Sequence, residues 1–322
     1  SIETMTDLYE VKAALLAAKE HSSLPVLVSM SFEANGRSFT GCCVESFAAT
    51  AAGLGADALG INCSLGPREI LPLARRLCSA VPQGLPVFVK PNAGLPHADG
   101  SGYDLTAESF CEAMQAYRPL GVSMLGGCCG TTPEFIRLLA QSFAGDVPAP
   151  RRCKRRSVLC SPVQTVEVSG ITVVGERLNP TGKKRFQQAL RAGDMEYIAA
   201  QAVEQAEAGA QVLDLNVGLP GVDEPALMEA AVRAVQAVTG LPLQLDSSSP
   251  AVLERGLRAY NGKPVVNSVN GEAAALGSIL PLCKKYGAAV VGLTLDEKGI
   301  PPTAEGRLAI ARRIKDACLV AG

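Results

Sequence analysis

The sequence predicts an α/β protein made of two (β/α)8 TIM-type barrels in tandem, each only partly present in the chain. Three observations predict it. Short β-branched apolar runs alternate with helical patterns, the grammar of parallel sheets. Polar and thiol residues gather just after the predicted strands, where a barrel keeps its chemistry. The chain also repeats itself: Gly55-Ala56-Asp57-Ala58-Leu59-Gly60-Ile61-Asn62 lines up with Gly209-Ala210-Gln211-Val212-Leu213-Asp214-Leu215-Asn216, and Gly84-Leu85-Pro86 with Gly240-Leu241-Pro242.

The strands expected in order are Pro25-Phe32, Ala58-Cys63, Pro86-Lys90, Val122-Leu125, Ile171-Gly175, Val212-Asn216, Leu243-Asp246, Pro264-Asn267 and Ala288-Leu295. Helices such as Asp7-Lys19 and Met195-Glu207 lie between them, the second opened by Asp194 as N-cap and closed by Gly209. From about Ala144 to Ser169 proline and basic residues take over, including Arg151-Arg152-Cys153-Lys154-Arg155-Arg156. This stretch reads as an interdomain linker with a solvated basic face. The expected organisation is 1–145 for the first domain, 146–169 for the linker and 170–322 for the second. A doubly wound dinucleotide fold is disfavoured, because Gly53-x-Gly55-x-x-Ala58 precedes a strand. Thr181-Gly182-Lys183-Lys184 has Arg177 where a phosphate-binding loop needs its first glycine. A complete barrel needs about 250 residues, so each side is expected to hold only part of one.

Composition narrows the function classes. The 322 residues suit two domains, and 48% hydrophobic with 19% charged residues excludes a disordered chain. With 30 Lys+Arg against 31 Asp+Glu, nothing draws the whole molecule to nucleic acid or an anionic membrane. No apolar run is long enough to span a bilayer and Ser1-Ile2-Glu3 is no signal core, so the expected location is cytoplasmic. Eleven cysteines, an odd number including the adjacent pairs Cys42-Cys43 and Cys128-Cys129, do not suit a disulfide framework. Two histidines leave a Ser-His-Asp mechanism few places to sit.

Cys63 ends one predicted strand, and Cys128-Cys129 end another within Gly126-Gly127-Cys128-Cys129-Gly130-Thr131. Neighbouring side chains on a strand point to opposite faces, so both thiols reach one ion only if the backbone turns, which the glycines permit. Three thiolates make a soft site suited to zinc with its fourth position open. The plainer reading is small buried cysteines, and it is kept for Cys42-Cys43, which open a helix.

These thiolate motifs, with Gly60-Ile61-Asn62-Cys63, resemble the zinc-dependent homocysteine methyltransferases. The resemblance implies zinc on Cys63, Cys128 and Cys129 as the catalytic centre, with the homocysteine sulfur as fourth ligand. It also implies Glu3 at the homocysteine amine, and Asn92 and Ala93 in the pocket wall. Lys90 reads as an internal ion pair or a substrate contact.

After the linker, Val174-Gly175-Glu176-Arg177-Leu178-Asn179-Pro180-Thr181, Asp214-Leu215-Asn216, Leu245-Asp246-Ser247-Ser248 and Val266-Asn267-Ser268 put carboxylates and amides on one rim. Each taken singly is an ordinary turn or cap; together they can hold a heterocycle edgewise. The series resembles the pterin-binding barrels of dihydropteroate synthase and corrinoid methyltransferases. The resemblance gives Asp246 and Asn267 the pterin, with Glu176, Asn179 and Asp214 completing the rim and Arg177 and Asn216 as supports.

The order of the two halves resembles the cobalamin-dependent family of homocysteine methyltransferases. It implies methyl transfer from 5-methyltetrahydrofolate via cobalamin to zinc-bound homocysteine, giving methionine and tetrahydrofolate. Cobalamin and the activation chemistry belong to modules outside this chain, so activity of the chain alone stays open. The alternatives are a corrinoid-protein methyltransferase with another acceptor and a noncatalytic zinc-binding scaffold. A fusion to a flavin-dependent folate reductase is disfavoured by the motif from Gly175 to Thr181.

Overall fold

In the computed structural model, sheet order follows chain order. Strands β1 (Ile2–Met5), β2 (Leu27–Met30), β3 (Ala58–Asn62), β4 (Val87–Lys90) and β5 (Met124–Leu125) form one parallel sheet in the order β1-β2-β3-β4-β5. Helices α1 (Leu8–His21), α2 (Val44–Gly53), α3 (Pro67–Ala80), α4 (Ala107–Met114) and α5 (Pro133–Ser142) alternate with them, and a 3-10 turn at Gln115–Leu120 follows α4. These elements lie in a unit spanning Ser1–Arg155; a second unit spans Arg156–Gly322. The structure describes residues 1–100, 102–151 and 156–322. Arg152, Cys153, Lys154 and Arg155 of the basic run lie outside the described residues.

The local reasons are those of singly wound α/β units. All five residues of β3 are buried, as a strand covered on both faces requires. Helix α3 buries Ile70, Leu73, Ala74, Leu77 and Cys78, a one-sided stripe at helical spacing. Asp7 caps α1 by accepting from the backbone N–H groups of Tyr9 and Glu10. Gly60 is required because a Cβ there would come within 2.4 Å of the Phe88 ring on β4.

The second unit repeats the plan with β8 (Val174–Leu178), β9 (Val212–Asn216), β10 (Leu243–Asp246), β11 (Val265–Val269) and β12 (Ala289–Gly292) in a parallel sheet of sequential order. Its helices are α6 (Lys184–Ala192), α7 (Met195–Glu207), α8 (Glu224–Val238), α9 (Pro250–Ala259), α10 (Ala273–Tyr286) and α11 (Ala304–Ala321). Asp194 caps α7, its side chain accepting from Tyr197 N, and Gly209 has a positive φ. Consecutive parallel strands crossed over by helices are the repeating unit of a (β/α) barrel.

Three elements differ from the sequence expectation. Strand β1 was not among the expected strands, yet it pairs with β2 through Ile2 and Met5. The strand expected at Ile171-Gly175 runs instead through Glu176-Arg177 to Leu178, while Ile171 is 93% exposed. The rim residues are thus part of the strand, because Leu178 pairs with Leu215 and Arg177 N donates to the Gln205 side chain. Finally, the stretch 146–169, expected as linker, contains an antiparallel hairpin of β6 (Val158–Cys160) and β7 (Thr165–Glu167) in the second unit.

That hairpin has a structural task. Leu159 and Val166 form a buried cluster with Val212 and Val265, which open β9 and β11. Tyr260 Oη donates to Cys160 O at 2.9 Å, Ser161 Oγ donates to Gly240 O at 2.6 Å, and Cys160 pairs with Lys263. The hairpin therefore packs at the N-terminal ends of the strands, opposite the polar residues. Among the described residues no helix is long and apolar enough to cross a membrane.

Candidate functional sites

Cys63 lies one residue beyond β3, and its sulfur meets those of the turn after β5. The Sγ atoms of Cys63, Cys128 and Cys129 all lie within 4.8 Å of one another, with Cys63 and Cys129 3.6 Å apart. The chain turns at both corners. Cys63 and Ser64 adopt left-handed backbone with φ of 63° and 61°, which costs a non-glycine residue on the order of 1–3 kcal/mol. On the other side Cys128 N donates to Pro91 O at 2.7 Å and Thr131 Oγ1 donates to Cys128 O at 2.7 Å. Gly130 has φ of 80°, and a Cβ there would come within 2.3 Å of the Tyr103 ring.

Asn92 and Ala93 clamp this turn. Cys129 N donates to Asn92 Oδ1 at 3.2 Å, and Ala93 N donates to Cys129 O at 2.9 Å. Asn62 fastens the other side: it is buried, donates to Thr4 Oγ1 at 2.7 Å, accepts from Thr4 N and Ser29 Oγ, and reaches Cys128 Sγ at 3.8 Å. Thr4 itself sits at φ of 60°, held there by the two bonds to Asn62. Glu3 pairs with Lys90 at 2.5 Å, and the Lys90 ammonium holds its carboxyl below the ordinary range.

Burial pushes the Cys63 thiol up to about 11, and the Cys129 and Cys128 sulfurs add to the rise. Desolvation first, then the charge of Cys129, raises the Tyr103 hydroxyl. Three sulfurs this close together are favoured as thiolates when a cation sits among them. A tetrahedral zinc with bonds of about 2.3 Å needs sulfurs about 3.8 Å apart, and the observed spacing fits it. Cys42 and Cys43 lie elsewhere: both are buried, and Cys43 is the N-cap of α2.

In the second unit, paired strand positions build two rungs on one face. Gln244 stands opposite Asp214 and donates to its Oδ1 at 2.5 Å. Two residues further along, Asn216 donates to Asp246 Oδ2 at 2.9 Å, and Asp246 stands opposite Asn267. Asp214 is 3% exposed, and burial raises its carboxyl to about 6, with the charges of Asp246 and Glu176 pushing the same way against hydrogen bonds from Gln244 and Asn267. The structure brings Asp214, Asp246 and Asn267 together. Glu176 is exposed and pairs with Lys183 at 3.1 Å, while the Asn179 side chain accepts from Thr181 N in a local turn. Asp296 stands apart, closing a turn with Gly299 and facing Arg313.

Sequence reading missed Gln244 and Tyr103. For Gln244 the signal was present: Leu243-Gln244-Leu245-Asp246 alternates, so Gln244 shares a face with Asp246. For Tyr103 no local pattern exists, because its ring reaches Gly130 across the fold.

Residues 1–143 match the family described as Homocysteine S-methyltransferase, and residues 175–313 match Pterin binding enzyme. The chain therefore carries a unit of the homocysteine S-methyltransferase family followed by a unit of the pterin-binding family. Along 97% of its length the chain is 34% identical to methionine synthase of Mycobacterium leprae (strain TN), and equally so to that of Mycobacterium tuberculosis (strain ATCC 25618 / H37Rv). The chain belongs to the methionine synthase family. It spans 28% and 27% of the lengths of these two relatives. Among solved structures, a Xanthomonas albilineans dihydropteroate synthase complex is 22% identical, covering 52% of this chain and 61% of its own at a TM-score of 0.37. The carboxyl transferase domain of Rhizobium etli pyruvate carboxylase is 15% identical, covering 98% and 51% at a TM-score of 0.27.

Proposed function

We propose that the chain is the substrate-binding part of a 5-methyltetrahydrofolate–homocysteine methyltransferase, with cobalamin, carried by another module of the parent enzyme, as the methyl carrier. On this reading 1–145 is the later part of a homocysteine-binding barrel and 170–322 the earlier part of a pterin-binding barrel. The observation that carries it is the convergence of three thiols at the strand ends of a unit matched to homocysteine S-methyltransferases, in a chain whose other unit is matched to pterin-binding enzymes. Cys63, Cys128 and Cys129 hold zinc, which when bound supplies the Lewis acidity that keeps a substrate thiol deprotonated at neutral pH. Asn62, Asn92 and Ala93 keep the three sulfurs on one side of the turn. Glu3 accepts from the substrate ammonium.

In the second unit Asp246 and Asn267 bind the pterin edge, the carboxylate accepting from N–H groups and the amide both donating and accepting. Asn216 orients Asp246, and Gln244 orients Asp214. Releasing a methyl group from N5 of the folate expels a poor nitrogen leaving group, which needs a proton or strong polarisation there. A carboxyl that keeps its proton to about pH 6, as Asp214 does, lies in the lower rung of this site.

Calorimetry on the zinc-loaded chain tests the reading. Homocysteine should bind only when zinc is present and should release a proton, measured as a buffer-dependent heat. Absence of zinc-dependent thiol binding favours a scaffold. Binding of a different thiol or amine in preference to homocysteine favours a corrinoid methyltransferase with another acceptor.

A further inference from the structure

Lys90 ends β4 and stands directly opposite Asn62 of β3. Paired positions on adjacent strands send their side chains to the same face. Asn62 reaches Cys128 Sγ on that face, so Lys90 is on the side of the thiol cluster. Its stem lies against Gly126, where a Cβ would come within 3.0 Å of Lys90 Cγ, in the segment that leads to Cys128. Its ammonium meets Glu3 at 2.5 Å, and the two side chains keep 26% and 38% of their surface exposed. This is a half-open ion pair at the thiol site, and such pairs hold together weakly.

We propose that Lys90 is the specificity residue that receives the carboxylate of the amino-acid thiol. The proposal rests on the homocysteine reading above and deepens it. Homocysteine carries an ammonium and a carboxylate on the same carbon. Glu3 meets only the ammonium, which leaves the substrate carboxylate without a countercharge. Lys90 has three N–H donors with one directed at Glu3, on a flexible four-carbon stem. It can turn toward the incoming carboxylate while the substrate ammonium takes its place on Glu3. The resting Glu3–Lys90 pair is thus exchanged for two pairs with the zwitterion, and the site keeps its charge balance throughout. Because the exchange needs both ligand charges, it selects an α-amino acid thiol over a simple thiol.

The test uses the full chain loaded with cobalt(II), whose sulfur-to-metal charge-transfer bands report thiol addition independently of turnover. Three probes are titrated: homocysteine, its decarboxylated form aminopropanethiol, and its deaminated form mercaptobutyrate. Lys90→Met should weaken homocysteine and mercaptobutyrate by roughly tenfold or more, the scale of one hydrogen bond to a charged group, and should not weaken aminopropanethiol, whose ammonium no longer has to displace Lys90 from Glu3. Glu3→Gln should show the reverse selectivity. Lys90→Arg should recover much of the carboxylate preference. Cobalt content of each variant, equal to that of the parent, shows that the thiol cluster has folded. If Lys90→Met weakens all three probes alike, or none, Lys90 only ties β1 to the sheet and the proposal is overturned. If the parent adds no thiol, the homocysteine reading fails and the proposal falls with it. Thiol addition with unaltered selectivity overturns the proposal alone.

Discussion

Replacing Cys63 by serine removes one corner of a three-sulfur cluster and leaves a harder, poorer ligand for zinc. Metal analysis should find about one zinc per chain in the parent and a large loss in Cys63→Ser, Cys128→Ser and Cys129→Ser. Cys42→Ser should keep its zinc, since Cys42 is buried and donates to the carbonyl of Cys43. Full retention in Cys63→Ser, or equal loss in Cys42→Ser, would sink the assignment. Asp214 makes a second prediction through its raised carboxyl. Between the ordinary pKa near 3.8 and the folded value of about 6, the folded chain holds a proton that the unfolded chain has released. Stability therefore falls as pH rises through that window, and above it the full cost of the buried charge remains, roughly 1 to 3 kcal/mol. Asp214→Asn removes this titration. The variant should be more stable than the parent at pH 7, with the gain shrinking as pH falls below about 6 and gone below about 4. Urea denaturation across that range checks it, and a gain independent of pH would show that Asp214 does not titrate in this way.

At the scale of elements, what the sequence made legible and what it hid have a common cause. The positions that follow β3, β5 and β10 are readable because a parallel sheet exposes chemistry at its carboxyl ends, and apolar strands mark those ends plainly. Glycines announced the Cys128–Cys129 turn for the same local reason. The clamp of Asn62 on Thr4 was hidden, since it joins residues 58 positions apart and neither strand shows it alone. The β6–β7 hairpin was hidden by composition: prolines and basic residues surround two short strands whose apolar partners, Val212 and Val265, belong to other elements. The packing predicts the hairpin's weight. Leu159 is 5% exposed, and truncating such a leucine costs about 2–5 kcal/mol. Leu159→Ala should lower the urea midpoint of the second unit accordingly, whereas Val168→Ala, beyond the hairpin at 46% exposure, should change stability by no more than about 0.5 kcal/mol. Equal effects would mean that the hairpin is not part of the folded core.

At the scale of the whole molecule, the chain separates its two tasks between two units, Ser1–Arg155 and Arg156–Gly322. The three thiols lie in the first and the paired carboxylates and amides in the second. A ligand that binds only the native form stabilises the unit that owns its site, by about 4.1 kcal/mol at a thousandfold excess over Kd. For zinc this stabilisation acts where the sulfurs join the end of β3 and the turn after β5, on β4 through the bond from Cys63 N to Lys90 O, and through Asn62 on β1. Amide hydrogen exchange with and without a chelator can read it region by region, because exchange from these strands requires the opening that zinc opposes. Zinc should slow exchange in peptides covering β1, β3, β4 and Gly126–Thr131, by up to about a thousandfold where exchange needs the whole site to open. Peptides covering β9, β10 and β11 should hardly change with zinc and should respond instead to 5-methyltetrahydrofolate. Equal protection of both units by zinc would mean that the metal acts on the chain as a single folding unit. Protection of β9–β11 alone would place the metal at the carboxylate rungs and remove it from the thiols.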